Sequence, residues 1–140
     1  MYLLIDPSDR KKNKLVLFNE KKKEISTEYK RNTDGLPEAV DKFFKNNKIE
    51  KETLKGIMVV VGSGGFTSTR VATTVVNSFL YVLDIPGLAI TKKQSLEPKK
   101  LIKKLKKQNK GDFIFASYSG KPSIGKKSFW RKILKIKLWK

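Results

Sequence analysis

The sequence predicts an α/β domain built on a mixed, mostly buried sheet of five strands. Three observations carry that prediction. An unbroken apolar run, Ile57 to Val61, gives way to a glycine-rich turn holding Gly62, Gly64 and Gly65. Three short apolar runs joined by charged turns precede it, and two segments with helical apolar spacing flank it. A run without alternation reads as a strand covered on both faces. The glycines and the polar stretch Thr67-Ser68-Thr69 read as a tight turn opening a helix.

Taken in order, Tyr2 to Asp6 is the first strand, broken by Pro7-Ser8-Asp9. Arg10 to Lys14 is a charged turn and Leu15 to Phe18 the second strand. After a turn at Glu20 to Lys23, Ile25, Thr27 and Tyr29 alternate with polar residues, the period of a half-exposed third strand. Links this short predict an antiparallel meander. Asn32-Thr33-Asp34-Gly35 is a cap cluster. Leu36, Ala39, Val40, Phe43 and Phe44 then mark one face of an amphipathic helix, with Pro37 in its first turn and Asn46-Asn47 at its end. A charged link, Glu50 to Lys55, leads to the Ile57–Val61 strand.

The next helix is expected from about Ser68 to Leu83, with Thr67 as its N-cap. Val71, Val75, Phe79 and Val82 form one apolar stripe, and Ala72, Val76, Leu80 and Leu83 form a second beside it. No charged residue lies between Arg70 and Asp84. A helix apolar over most of its circumference is buried by more than one neighbour. One neighbour is its own sheet, and the second stripe is left for a partner. Asp84 to Gly87 turns into a fifth strand, Leu88 to Ile90. Glu97 to about Lys110 reads as a lysine-dense surface helix anchored by Leu101, Ile102 and Leu105. Phe113 to Tyr118 is a sixth strand candidate, closed by Gly120-Lys121-Pro122. The tail, Lys126 to Lys140, mixes aromatic and aliphatic residues with lysine and fits no single period.

Right-handed crossovers place the fourth and fifth strands parallel to the first, giving the order 3-2-1-4-5. That is one lobe of the ribonuclease H-like, actin/Hsp70-type architecture.

Charge is distributed unevenly. The formal net charge is +19, with +4 in residues 1–91 and +15 in residues 92–140. The last third is therefore a polyanion-attracting block, or a lysine-rich composition with no partner. Cysteine and histidine are both absent, which excludes disulfides, Cys- or His-ligated zinc and every nucleophile activated by histidine. No apolar run reaches the roughly 18 residues needed to span a membrane, and no basic region precedes the first apolar residues. A cytoplasmic protein with no membrane partner is the expectation.

The strand, the turn and the helix start together resemble the TsaB (YeaZ) family, whose signature runs Gly-Pro-Gly-Ser-Phe-Thr-Gly-Leu-Arg after a buried strand. Gly62, Gly64, Phe66, Thr67 and Arg70 stand in register with it. Ser63, Gly65, Ser68 and Thr69 replace its Pro, Ser, Gly and Leu. Ile5-Asp6, Asp84-Ile85-Pro86 and Ser95-Leu96-Glu97 are similar to further family landmarks, so the likeness covers roughly residues 1–105. The resemblance implies an accessory subunit, without catalysis or cofactor of its own, in threonylcarbamoylation of adenosine 37 of tRNA. It implies a TsaD-type transferase as partner, a TsaE-type ATPase in the same complex, and homodimer formation and tRNA contact as further expectations. The family has two lobes. Residues 1–110 would form the first, and 111–140 a degenerate second-lobe fragment with a basic tail.

Three candidate surfaces follow. The motif turn (Gly62, Gly64, Gly65, Phe66, Thr67, Arg70) is either a cradle for an anion or a packing device. It completes neither nucleotide fingerprint, since no G-x-G-x-x-G and no Gly-Lys-Ser/Thr is present. Arg70, unfavourable in a first helical turn, is expected to meet a partner carboxylate or a strand-end carbonyl. In the resembled family the two apolar helices dock the transferase. Here that surface would be Leu36, Ala39, Val40, Phe43, Val71, Val75, Phe79 and Val82. The tail offers Lys126, Lys127, Trp130, Arg131 and Trp139 for stacking on and neutralising RNA. No residue is assigned to catalysis or to a metal. Asp6, at the end of the first strand, is a relic metal ligand or a capped carboxylate. The competing classes are a stand-alone basic RNA-binding protein on the same lobe and a remnant of an actin-fold sugar or acetate kinase.

Overall fold

The computed structural model describes residues 1–21, 24–31 and 35–118. Five strands form one sheet in the order β3-β2-β1-β4-β5. They are β1 (Tyr2–Asp6), β2 (Lys12–Phe18), β3 (Glu24–Lys30), β4 (Ile57–Val60) and β5 (Gly87–Ile90). The first three pair antiparallel as a meander, and β4 joins β1, and β5 joins β4, in parallel. This is the predicted mixed sheet, and its burial explains why it was predictable. Every residue of β1 and β4 is buried, as an unbroken apolar run requires. The outer strand β3 alternates exposed with half-buried residues. β2 starts at Lys12, inside the expected charged turn. Lys12 and Lys14 point outward there while Asn13 turns inward and bonds the Tyr29 hydroxyl (2.9 Å).

Helix α1 (Leu36–Asn46) buries the five apolar residues of its predicted stripe. Helix α2 (Phe66–Leu83) buries Ala72, Val76 and Leu80 completely, at i, i+4 and i+8. Both lie on one face of the sheet, over Leu3, Ile5, Leu15, Leu17, Ile57 and Val59. The opposite face packs Tyr2, Leu4, Val16, Phe18, Met58 and Val60 beneath Ile102 and Leu105. Alternation along β1, β2 and β4 thus divides the apolar residues between two cores.

Three expectations are corrected. α2 begins at Phe66 with Gly65 as its cap, because the Gly65 carbonyl already accepts the Thr69 N–H (3.1 Å). Thr67 is therefore in the first turn and not the N-cap. The helix expected over 97–110 is broken into a 3-10 turn, Pro98–Leu101, and a five-residue helix α3, Ile102–Lys106. Like charges three and four residues apart disfavour a longer helix, and Pro98 allows nothing before it. Phe113 to Tyr118 joins no sheet. The Asn77 side chain occupies both backbone groups of Ile114, accepting its N–H (2.8 Å) and donating to its carbonyl (2.9 Å). Ile114 enters the core beneath α2. Most of the expected second unit, 111–140, lies outside the described residues. Among those described, no helix is long and apolar enough to cross a membrane.

Candidate docking face and motif turn

The glycine turn is a contact between backbones. Gly64 sits at φ +92°, where a side chain is strained, and a Cβ there would lie 2.7 Å from Ser8 Cα and 3.0 Å from the Pro7 carbonyl. The turn thus presses against the β1–β2 connection. Gly62, at φ +76°, donates its N–H to the Ser117 carbonyl (2.8 Å). Phe66 stacks on Tyr118 with ring centroids 4.2 Å apart. Arg70 lies 5.6 Å from the centre of the Phe66 ring and pairs with no carboxylate among the described residues. The expected carboxylate or carbonyl partner is replaced by a cation–π contact one helical turn back.

Arg31 closes the same junction, and the sequence reading passed over it. Its guanidinium donates to Ser68 Oγ and to the carbonyls of Pro7 and Asp9. One side chain from the end of β3 therefore holds the first turn of α2 against the β1–β2 link. Its Nε is buried without a partner, a cost set against those three bonds. The usable signal was residue type. Only four of the 32 basic residues are arginine, and a guanidinium holds its five donors in a rigid planar fork suited to several acceptors at once.

Asp6 is a capped carboxylate. It is 4% exposed, accepts the Ser8 N–H (3.0 Å) and pairs with Lys92. Burial alone would raise its pKa. The hydrogen bonds from Lys92 and Ser8 outweigh burial and hold it below the usual carboxylate value. Both carboxylate oxygens are thus engaged by this chain's own residues.

The expected docking residues separate into two groups. Leu36, Ala39, Val40 and Phe43 are buried in this chain's own core, so α1 has spent its apolar stripe internally. Its outer side carries charge: Asp41 pairs with Lys45 and Lys51, which pull its carboxyl down to about 2. On α2 the other stripe is open. Val71 is 45% exposed, Val82 77% and Tyr81 74%, with Val75 and Phe79 half-buried. Pro37, Val75, Ser78, Phe79 and Val82 line a hollow of about 240 Å³. Thr74, Asn77, Ser78, Tyr81 and Phe113 line another of about 420 Å³ on the same helix.

Three small hydroxyl residues of α2 are bonded within the helix. Thr69 Oγ1 donates to the Gly65 carbonyl, Thr73 Oγ1 to that of Thr69 and Ser78 Oγ to that of Thr74. Such back-bonding lets Thr69 and Thr73 be buried. The face combines apolar side chains with small uncharged polar ones. The tail residues Lys126, Lys127, Trp130, Arg131 and Trp139 lie outside the described residues.

No family model matches the sequence, and no curated protein matches it. Among solved structures the fold is similar to YeaZ from Pseudomonas aeruginosa, with a TM-score of 0.58 and 22% identity over 69% of this chain and 49% of that one. It is similar also to an uncharacterized protein described as resembling peptidase YeaZ, from Pseudomonas aeruginosa, with a TM-score of 0.57 and 22% identity over 69% and 48%. The chain spans about half the length of these neighbours. The likeness shows the fold, a ribonuclease H-like lobe.

Proposed function

We propose that this chain is an accessory subunit, without catalysis of its own, in threonylcarbamoyl modification of adenosine 37 of tRNA. It docks a TsaD-type transferase through α2. The observation that carries the reading is the second α2 stripe: an uncharged, half-exposed surface on a chain in which charges are 32% of residues. The YeaZ-like fold supports the same assignment. So does the engaged state of Asp6, which leaves the β1 end without a free carboxylate to hold a metal–phosphate group. The motif turn then serves to fix α2 against the sheet and so to present its open stripe.

The test is co-purification with the transferase homologue of the same genome. Val82→Lys places a charge at the most exposed point of the stripe and should abolish the complex while leaving the fold intact. Phe79→Lys should do the same, although Phe79 also rests on the core. Retained co-purification of a folded Val82→Lys chain would sink the proposal. Tight RNA binding with no affinity for the transferase would favour the stand-alone RNA-binding class instead.

A further inference from the structure

The sheet face opposite α2 is closed by residues 92–110, and its chemistry is the reverse of the α2 face. This segment holds nine lysines and one acidic residue, Glu97. Three lysines are neutralised: Lys92 by Asp6, Lys100 by Glu97 and Lys106 by Glu20. The other six, Lys93, Lys99, Lys103, Lys104, Lys107 and Lys110, pair with no carboxylate among the described residues. Five of the six are exposed, and Lys99 is half-exposed.

Their arrangement is fixed from beneath. Ile102 is 6% exposed and Leu105 is fully buried, both against the strand residues of the second core. Those two anchors turn the lysines of α3 outward. The 3-10 turn and α3 together make a ridge roughly 16 Å long, from about 2.0 Å per residue in the turn and 1.5 Å in the helix. A duplex carries one charge per about 1.7 Å of axis with both strands counted, so a length of that size holds roughly nine phosphates, of which the ridge meets those on its own side. Like charges at i, i+3 and i+4 destabilise so short a helix by a few tenths of a kcal/mol each. A polyanion removes that repulsion and releases its own counterions.

We infer that this lysine ridge binds the sugar–phosphate backbone of a double-helical nucleic acid. Three features select this partner. Residues 91–112 contain no aromatic residue and no arginine, so the ridge has no platform for unstacked bases and no fork to read base edges. Ile102 and Leu105 are committed to the core, and Leu96, the one large apolar side chain exposed in this segment, is too little apolar surface to anchor it in a bilayer. Lysine without aromatic anchors is also a poor protein–protein surface. Because the ridge and α2 lie on opposite faces of the sheet, occupancy of one leaves the other free. The inference does not depend on the docking reading above.

The experiment uses the full chain, so that the basic tail contributes equally to every variant. The ridge variant is K103Q/K104Q/K107Q. The control, K11Q/K48Q/K55Q, removes the same charge from exposed lysines outside the segment. Binding to a short mixed-sequence duplex RNA is measured against salt. The ridge variant should lose two to three from the log–log salt slope, at roughly 0.9 per phosphate contact, and the control less than one. The charge-keeping variant K103R/K104R/K107R should retain the wild-type slope, which separates lost charge from lost structure. Equal slope losses in ridge and control variants would overturn the inference, because composition alone would then explain the binding. So would an equal ridge-dependent affinity for unpaired poly-U, or for phosphatidylserine vesicles. Co-purification with the transferase should be unchanged in K103Q/K104Q/K107Q.

Discussion

The two long helices differ in the number of apolar stripes they carry, and therefore in what they leave outside. α1 has one apolar stripe and spends all of it, with Leu36, Ala39, Val40, Phe43 and Phe44 buried and Asp41 and Lys45 facing solvent. α2 has two stripes. Ala72, Val76 and Leu80 take the core, while Val71, Tyr81 and Val82 remain open. Once the core is filled, the second stripe remains open on α2, whereas the α1 stripe is covered. The α1 residues expected to share in docking, Leu36, Ala39, Val40 and Phe43, are buried within this chain.

The largest effects should come from the buried stripes, where the helices behave alike. Phe44→Ala on α1 and Leu80→Ala on α2 should each cost about 2–5 kcal/mol in urea unfolding, since both side chains are at most 1% exposed. The outward positions should separate the helices. Lys45→Ala and Val82→Lys should each change stability by less than about 0.5 kcal/mol, yet only the second should end co-purification with the transferase. An α1 surface variant that abolished docking would break the comparison.

The anchoring of α2 is tested next. Gly64→Ala forces a Cβ onto the Ser8 backbone at a positive φ and should cost about 2–4 kcal/mol. Gly62→Ala meets nothing nearer than Ser117 Oγ at 4.0 Å, so only conformational strain remains, about 1–2 kcal/mol. Equal losses in unfolding midpoint would mean that the turn does not press on the β1–β2 link.

The smallest effect is a pH dependence. Asp6 has a folded pKa below the ordinary aspartate value of 3.8, so its contribution to stability is complete above that value. It is lost as pH falls below 3.8 through the depressed folded value. The thermal midpoint should therefore drop in that window, and Asp6→Asn should flatten the drop. An unchanged acid limb in the variant would show that the Lys92 pair contributes nothing there.

The elements with one dominant period were legible. The all-apolar run of β4, the alternation of β3 and the stripe of α1 each specify a burial pattern that a single register satisfies. The strand order followed from link lengths and handedness. The junctions were not legible. Arg31 reaches Pro7, Asp9 and Ser68 across 22 to 37 residues of sequence, and Asn77 holds Ile114 across 37. Polar side chains that bond backbone leave no periodic trace, and their targets are fixed only once the sheet exists. The short α3 departs from the expected long helix for a related reason: Leu101, Ile102 and Leu105 suit a long helix, but only Ile102 and Leu105 reach the core fully.

The parallel pairing of β1 with β4 also sets a timetable for the newborn chain. The meander β1–β2–β3 leaves the ribosome complete, but one edge of β1 has no partner until residues 57–60 emerge. At roughly 5–20 residues per second, synthesis of residues 31–56 takes about one to five seconds. For that interval a strand buried throughout in the finished fold offers a row of unpaired amides and carbonyls to any neighbouring chain. α1 is made during the wait and can cover a face of the meander, but not that edge. The vulnerable moment of this protein is therefore set by the distance in sequence between two strands that end up side by side.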